Sequence, residues 1–101
     1  MIASELANKV PAIGRLAQQY KVEKLYAFGS VVSDRFSPQS DIDLLVSFQE
    51  VPLLEYFDNY YDFWQELQAL LKRKVDLVID KSVTNPYLIK SIESSKVPIY
   101  G

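Results

Sequence analysis

Asp41 and Asp43 stand two apart at the head of the run Asp41-Ile42-Asp43-Leu44-Leu45-Val46, and that spacing leaves few ways to fold the segment. On a strand, alternate side chains point to opposite faces. Ile42, Leu44 and Val46 therefore claim a buried face, and Asp41 and Asp43 are held together on the other. Two carboxylates so placed repel and raise each other's pKa, a penalty that a divalent cation removes, and hard cations prefer oxygen ligands of this kind. Alone, the pair reads more simply as a loop cap at Asp41 and a solvent-facing residue at Asp43.

The segment upstream changes that reading. An apolar run, Leu25 to Phe28, has the character of a strand and stops at Gly29-Ser30. Glycine lets a ligand approach the backbone closely. Ser30 offers a hydroxyl and, as an expected helix N-cap ahead of Val31-Val32-Ser33, a start of exposed backbone N–H groups suited to phosphate. Alone, this too is an ordinary serine-capped turn. Joined, Gly29-Ser30, ten intervening residues and Asp41-Ile42-Asp43, with a strand on each side, resemble the signature of the polymerase β-like nucleotidyltransferase superfamily, in its minimal nucleotidyltransferase branch.

The resemblance covers the chain from Leu25 to about Tyr100 and carries several expectations. It implies that Gly29 and Ser30 hold the triphosphate of a nucleotide, ATP first among the candidates, and that Asp41 and Asp43 hold magnesium or manganese. A third carboxylate on a neighbouring strand completes such sites, and Lys74-Val75-Asp76-Leu77-Val78-Ile79 nominates Asp76. The family commonly continues Gly-Ser-x-x-Arg-Gly, whereas this chain has Ser33-Asp34 at those places, with Arg35 as a possible substitute from the loop. The activity implied is metal-dependent transfer of a nucleoside monophosphate to an acceptor hydroxyl on a partner protein. Minimal proteins of this resemblance often pair with a helical HEPN-class protein as the antitoxin of a toxin–antitoxin pair. The rival reading is a module that has lost turnover and neutralises its partner by covering it.

Composition narrows the classes further. With 101 residues, 49% of them hydrophobic, the chain suits one domain, 1–101, with a single core. A net charge of −2 argues against nucleic acid as a partner, because backbone phosphates require a clustered positive surface. Lys72-Arg73-Lys74 reads as a solvated helix end that complements the helix dipole. Absence of histidine and cysteine excludes His/Cys zinc sites, disulfides and thiol nucleophiles, so any metal sits on oxygen. Charges at Glu5, Lys9 and Arg15 break every early apolar stretch, which leaves no membrane span and makes the cytoplasm the expected location.

Along the chain, periodicity predicts an N-terminal amphipathic helix interrupted near Pro11 and Gly14, then strands at about Lys24 to Phe28 and Asp41 to Phe48. A long helix follows from Leu53 to Lys72, a third strand from Val75 to Ile79, a helix from Asn85-Pro86 to about Ser94, and an extended piece from Val97 to Tyr100. The expected fold class is α/β, a small mixed sheet with helices packed on one face and the carboxylates on the open one. Asp80 shares the parity of Asp76 but reads as a turn residue. In the long helix, apolar residues span an arc of roughly 200°, wider than one core contact requires, which leaves room for a protein partner or a second copy.

Overall fold

Two-residue alternation and the turns between apolar runs set the architecture of the computed structural model, which describes residues 2–101. Helices α1 (Ser4–Ala7) and α2 (Val10–Gln19) lead into β1 (Val22–Phe28). Then come β2 (Ile42–Phe48), α3 (Leu53–Leu71), β3 (Val75–Ile79), α4 (Pro86–Ser95) and β4 (Val97–Tyr100). The four strands form one sheet in the order β3-β2-β1-β4. It is mixed: β1 runs antiparallel to β2 and β4, and β2 runs parallel to β3 across the α3 crossover. This is the α/β fold that the sequence pattern implies.

Parity sorts the sheet's two faces as expected. Leu25, Ala27, Ile42, Leu44, Val46, Val75, Leu77 and Ile99 are buried with Leu6, Ile13, Ala17, Phe63, Leu67 and Leu71 from the helical layer. The opposite face carries Asp43 and, two residues on, Leu45, which with Ile89 and Ile92 of α4 lines a hollow on that side. Asn85 caps α4 by accepting N–H bonds from Tyr87 (2.9 Å) and Leu88 (3.3 Å), while Pro86 takes a first-turn position where its missing N–H is harmless.

Several boundaries differ from the pattern reading, each for a local reason. The N-terminal helix breaks at Asn8-Lys9, which places Pro11 in the first turn of α2, and Gly14 stays helical. The long helix ends at Leu71 because Lys72 turns into the left-handed region, at φ 53°. The extended piece from Val97 to Tyr100 is a fourth strand, paired to β1 at the sheet's edge, where Pro98 is tolerated.

The wide apolar arc of α3 divides among three tasks. Phe63, Leu67 and Leu71 enter the core. Tyr60, Trp64 and Gln68, each four residues on from the last, close the outer edge of β3. The Tyr60 hydroxyl donates to the Leu77 carbonyl (2.6 Å), Trp64 Nε1 donates to the Val75 carbonyl (2.8 Å), and Gln68 Oε1 accepts from the Val75 N–H (3.1 Å). Backbone groups that would otherwise invite another strand are thereby satisfied. Leu53, Leu54, Phe57 and Tyr61 remain exposed.

Candidate functional site

Strand register brings the nominated residues to one end of the sheet. Phe28, the last residue of β1, lies opposite Asp43, and Asp43 lies beside Asp76 in the parallel β2–β3 pair. Cross-strand neighbours on one face have Cβ atoms about 5 Å apart. Asp41 precedes β2 with the same parity as Asp43, while Gly29 and Ser30 continue directly from β1. Gly29, Ser30, Asp41, Asp43 and Asp76 thus share one end of one sheet, although 47 positions separate the first from the last (76 − 29).

Gly29 is required by two observations at once. Its φ is +74°, a left-handed conformation that strains any residue with a side chain. A Cβ built there would collide with Oδ2 of Asp43 and stand 3.2 Å from its Cγ. The turn therefore runs against the carboxylate. The following residues wind into a short 3-10 turn, Gly29–Val32, with Phe28 at its cap position. Ser30 consequently lies within the turn and is not the N-cap the sequence suggested, because the left-handed Gly29 starts the turn one residue earlier.

Asp43 bears the electrostatic stress. Burial first, then the charges of Asp76 and Asp41, raise its pKa from the usual 3.8 to about 6. Asp41 and Asp76 are exposed, and Lys74 Nζ stands 4.0 Å from Asp41 Oδ2. Among the described residues, no three acidic side chains close round a common point. The donor set fits the oxygen preference of a hard cation: compact carboxylates on a rigid sheet, one of them destabilised when ionised by burial and by the other two.

The raised pKa has a thermodynamic consequence whose sign is opposite to that of a salt-bridged acid. Below about pH 3.8 Asp43 is protonated whether the chain is folded or not. As pH rises through about 6, the folded state must ionise a carboxyl that it holds against its neighbours, so stability falls. Solvent screening at this half-open position reduces the loss to about 1–2 kcal/mol. In the metal-free protein, Asp43→Asn should therefore be more stable than wild type at pH 8 and equal to it near pH 3.5. Urea unfolding at both pH values checks this, and a pH-independent difference would contradict it.

The loop into β2 is tightly stitched. Ser33 Oγ donates to the Ser30 carbonyl (3.0 Å) and accepts the Arg35 N–H (3.1 Å), so the residue standing where the family commonly has arginine serves as a turn former. Arg35 is exposed, and among the described residues no acidic side chain pairs with its guanidinium within 4.0 Å, so it is not drawn to the carboxylates.

Arg73 departs further from the sequence reading. Its side chain is only 12% exposed and donates to loop carbonyls, where a solvated helix end was expected. The lone signal in the sequence, a basic triplet, does not tell which of three cations turns inward.

A hollow of about 600 Å³ between α2 and α3 is lined by Ala12, Arg15, Leu16 and Glu66, away from the carboxylates. On the carboxylate face, a smaller one of about 240 Å³ is lined by Tyr26, Leu45, Ser47, Asp80, Glu93 and Lys96. None of the described residues forms a helix long and apolar enough to cross a membrane.

Comparison with known proteins places the fold in a family. The model of the polymerase beta nucleotidyltransferase family matches residues 12–101. A relative from Methanocaldococcus jannaschii, named provisionally as a protein adenylyltransferase, is 40% identical over 81% of each chain. A solved structure, assigned provisionally as a minimal nucleotidyltransferase, superposes with a TM-score of 0.79 at 26% identity, covering 97% of this chain and 96% of that one. A chain from the complex of a tri-AMPylated HEPN toxin with an MNT antitoxin, from Shewanella oneidensis, shares the fold at a TM-score of 0.66 and 21% identity, over 95% of this chain and 72% of that one. The chain belongs to the polymerase beta nucleotidyltransferase family, among its minimal nucleotidyltransferases.

Proposed function

We propose that this protein transfers an adenylyl group from ATP to a hydroxyl on a partner protein and releases pyrophosphate. The observation that carries the reading is the meeting, at one sheet end, of the Gly29 turn with Asp41, Asp43 and Asp76. The acceptor oxygen bonds to the α-phosphorus as the bond to the β-phosphate bridge breaks, and the acceptor's proton passes to a carboxylate of the site. Gly29 leaves the backbone bare beside the phosphates, and Ser30 offers its hydroxyl. Asp41, Asp43 and Asp76 are the residues to hold magnesium, or manganese in its place. When bound, such a cation supplies charge neutralisation of the triphosphate and activation of the acceptor oxygen. Beyond Asp43, the mainly polar hollow lined by Tyr26, Leu45, Ser47, Asp80, Glu93 and Lys96 offers space for the rest of the nucleotide.

The partner we infer is a helical HEPN-type toxin, with this chain as its antitoxin. The adenylyltransferase name of the 40%-identical relative supports the chemistry, and the shared fold of the HEPN complex fits the pairing. Surface character agrees: α3 exposes Leu53, Leu54, Phe57 and Tyr61 beside Asp58 and Asp62 and carries no basic residue, which suits an apolar groove with a basic rim. The same exposed stripe, with Ser33 where arginine is usual, favours a second reading in which covering the partner suffices. Incubation with α-labelled ATP, magnesium and a candidate helical HEPN-type protein separates the two. Label on that protein together with pyrophosphate supports transfer; a stoichiometric complex without label establishes the binding reading instead.

A further inference from the structure

We propose that Arg73 is a positioning residue for the carboxylate site, a latch that fixes the loop delivering Asp41 and Asp43. This inference rests on the reading of that site as a divalent-metal and nucleotide site. Arg73 lies in the turn between α3 and β3, outside the site itself. Its Nη1 donates to the carbonyls of Ser37 (3.0 Å), Pro38 (3.2 Å) and Ser40 (2.5 Å), and Nη2 donates to Ser37 as well (3.0 Å). The far side of the guanidinium pairs with Glu5, with Nε 3.2 Å from Oε2 and Nη2 3.3 Å from Oε1. Its flat face lies 4.4 Å from the centre of the Phe36 ring. A guanidinium presents five donors in one plane and can serve three carbonyls, a carboxylate and an aromatic face together; an ammonium cannot.

What the latch holds is the approach to the site. Ser40 immediately precedes Asp41, and on its other side Ile42 donates its N–H to the carbonyl of Lys74 (3.0 Å), the residue after Arg73. Asp41 is thus straddled: consecutive residues of one turn grip the residue before it and the residue after it. Two residues further along that same turn's strand stands Asp76. The α3–β3 turn therefore sets the relative placement of the carboxylates that the two strands supply. Residues Ser37 to Ser40 are internally stitched by the Ser40 N–H to the Ser37 carbonyl (3.0 Å) and the Ser37 N–H to Ser40 Oγ (3.1 Å), so the latch moves them as a unit. Outer partners that orient metal ligands typically alter metal affinity by roughly 10- to 100-fold when removed.

The test is Mn2+ binding, followed by electron paramagnetic resonance with and without a non-hydrolysable ATP analogue, on wild type, Arg73→Lys and Glu5→Gln. Amide exchange of the β1 and β2 interior serves as the check on folding. Arg73→Lys should weaken Mn2+ binding by roughly 10- to 100-fold and speed exchange at the Ser40 amide while sheet protection is retained. Glu5→Gln, which spares the carbonyl contacts, should bind as wild type does. Wild-type affinity in Arg73→Lys would overturn the latch, because charge alone would then suffice. Should Arg73→Lys fail to fold, Ser40→Ala, which removes the hydroxyl that stitches the latched loop to the Ser37 N–H, takes its place; it should weaken Mn2+ binding measurably, and unchanged affinity overturns the latch. If wild type itself binds no Mn2+ with or without nucleotide, the metal-site reading falls first and the latch with it, a result distinct from a failure confined to Arg73→Lys.

Discussion

Asp41→Ala combined with Asp43→Ala should abolish metal-dependent nucleotide binding and lower adenylyl transfer by at least about a thousandfold, the several kcal/mol that bound cations contribute to such a transition state. The fold should survive. Asp41 is exposed, and Asp43 is held on the sheet face opposite the core, so neither replacement opens a cavity. Stability should even rise slightly near pH 8, because the pair removes the burial of a charged carboxylate and the repulsion that together lift Asp43 to about 6. That combination distinguishes a functional site from a structural one: a structural carboxylate, when deleted, takes stability with it. Calorimetric titration of a nucleotide with magnesium, beside a thermal melt of the metal-free protein, gives both numbers. Unchanged nucleotide binding would remove the site from these residues, and a large loss of stability would show that their role is in folding.

Much of this arrangement was legible because a period of two is a strong constraint. Once Ile42, Leu44 and Val46 claim the core, Asp43 has one face left, and the same parity in Val75-Asp76-Leu77 puts Asp76 there too. Register was not legible: nothing in either strand alone says that Asp43 pairs with Asp76 and not with Val78. The turn chemistry was half legible. Gly29 announced a break, yet local sequence carries neither its left-handed φ, which moves the turn start forward and leaves Ser30 inside it, nor the approach of Asp43 from another strand.

Arg73 was misread for a related reason. Three consecutive cations after a helix look alike in sequence, and only the tertiary position of the Ser37 to Ser40 carbonyls selects the middle one. The breadth of the α3 apolar arc was legible and its use was not. The split into core, edge-covering and exposed residues follows from β3 being an edge strand, a fact of sheet order. Local pattern settles which face a residue takes; pairing between distant segments settles what it meets there.

Gly29→Ala tests that meeting directly. The substitution adds one methyl at an exposed position, where surface changes ordinarily shift stability by no more than about 0.5 kcal/mol. Here the left-handed φ of +74° alone should cost about 1–3 kcal/mol, lowering the melting temperature by roughly 5–20 °C for a domain of this size. Collision with Asp43 adds to it and forces that carboxylate to rotate away, so metal-dependent nucleotide binding should be lost along with the stability. The two contributions separate in a double-mutant cycle. In an Asp43→Ala background the collision has no partner, because the clash is with the carboxylate of Asp43, while the backbone strain is unaltered. Gly29→Ala should therefore be measurably less destabilising in that background, by an amount equal to the steric term. Strict additivity would mean that strain alone accounts for the glycine, and that the turn does not press on the carboxylate. A coupling of about 1 kcal/mol or more would establish that Gly29 and Asp43 are one unit, with the glycine present because the carboxylate occupies the space a side chain would need.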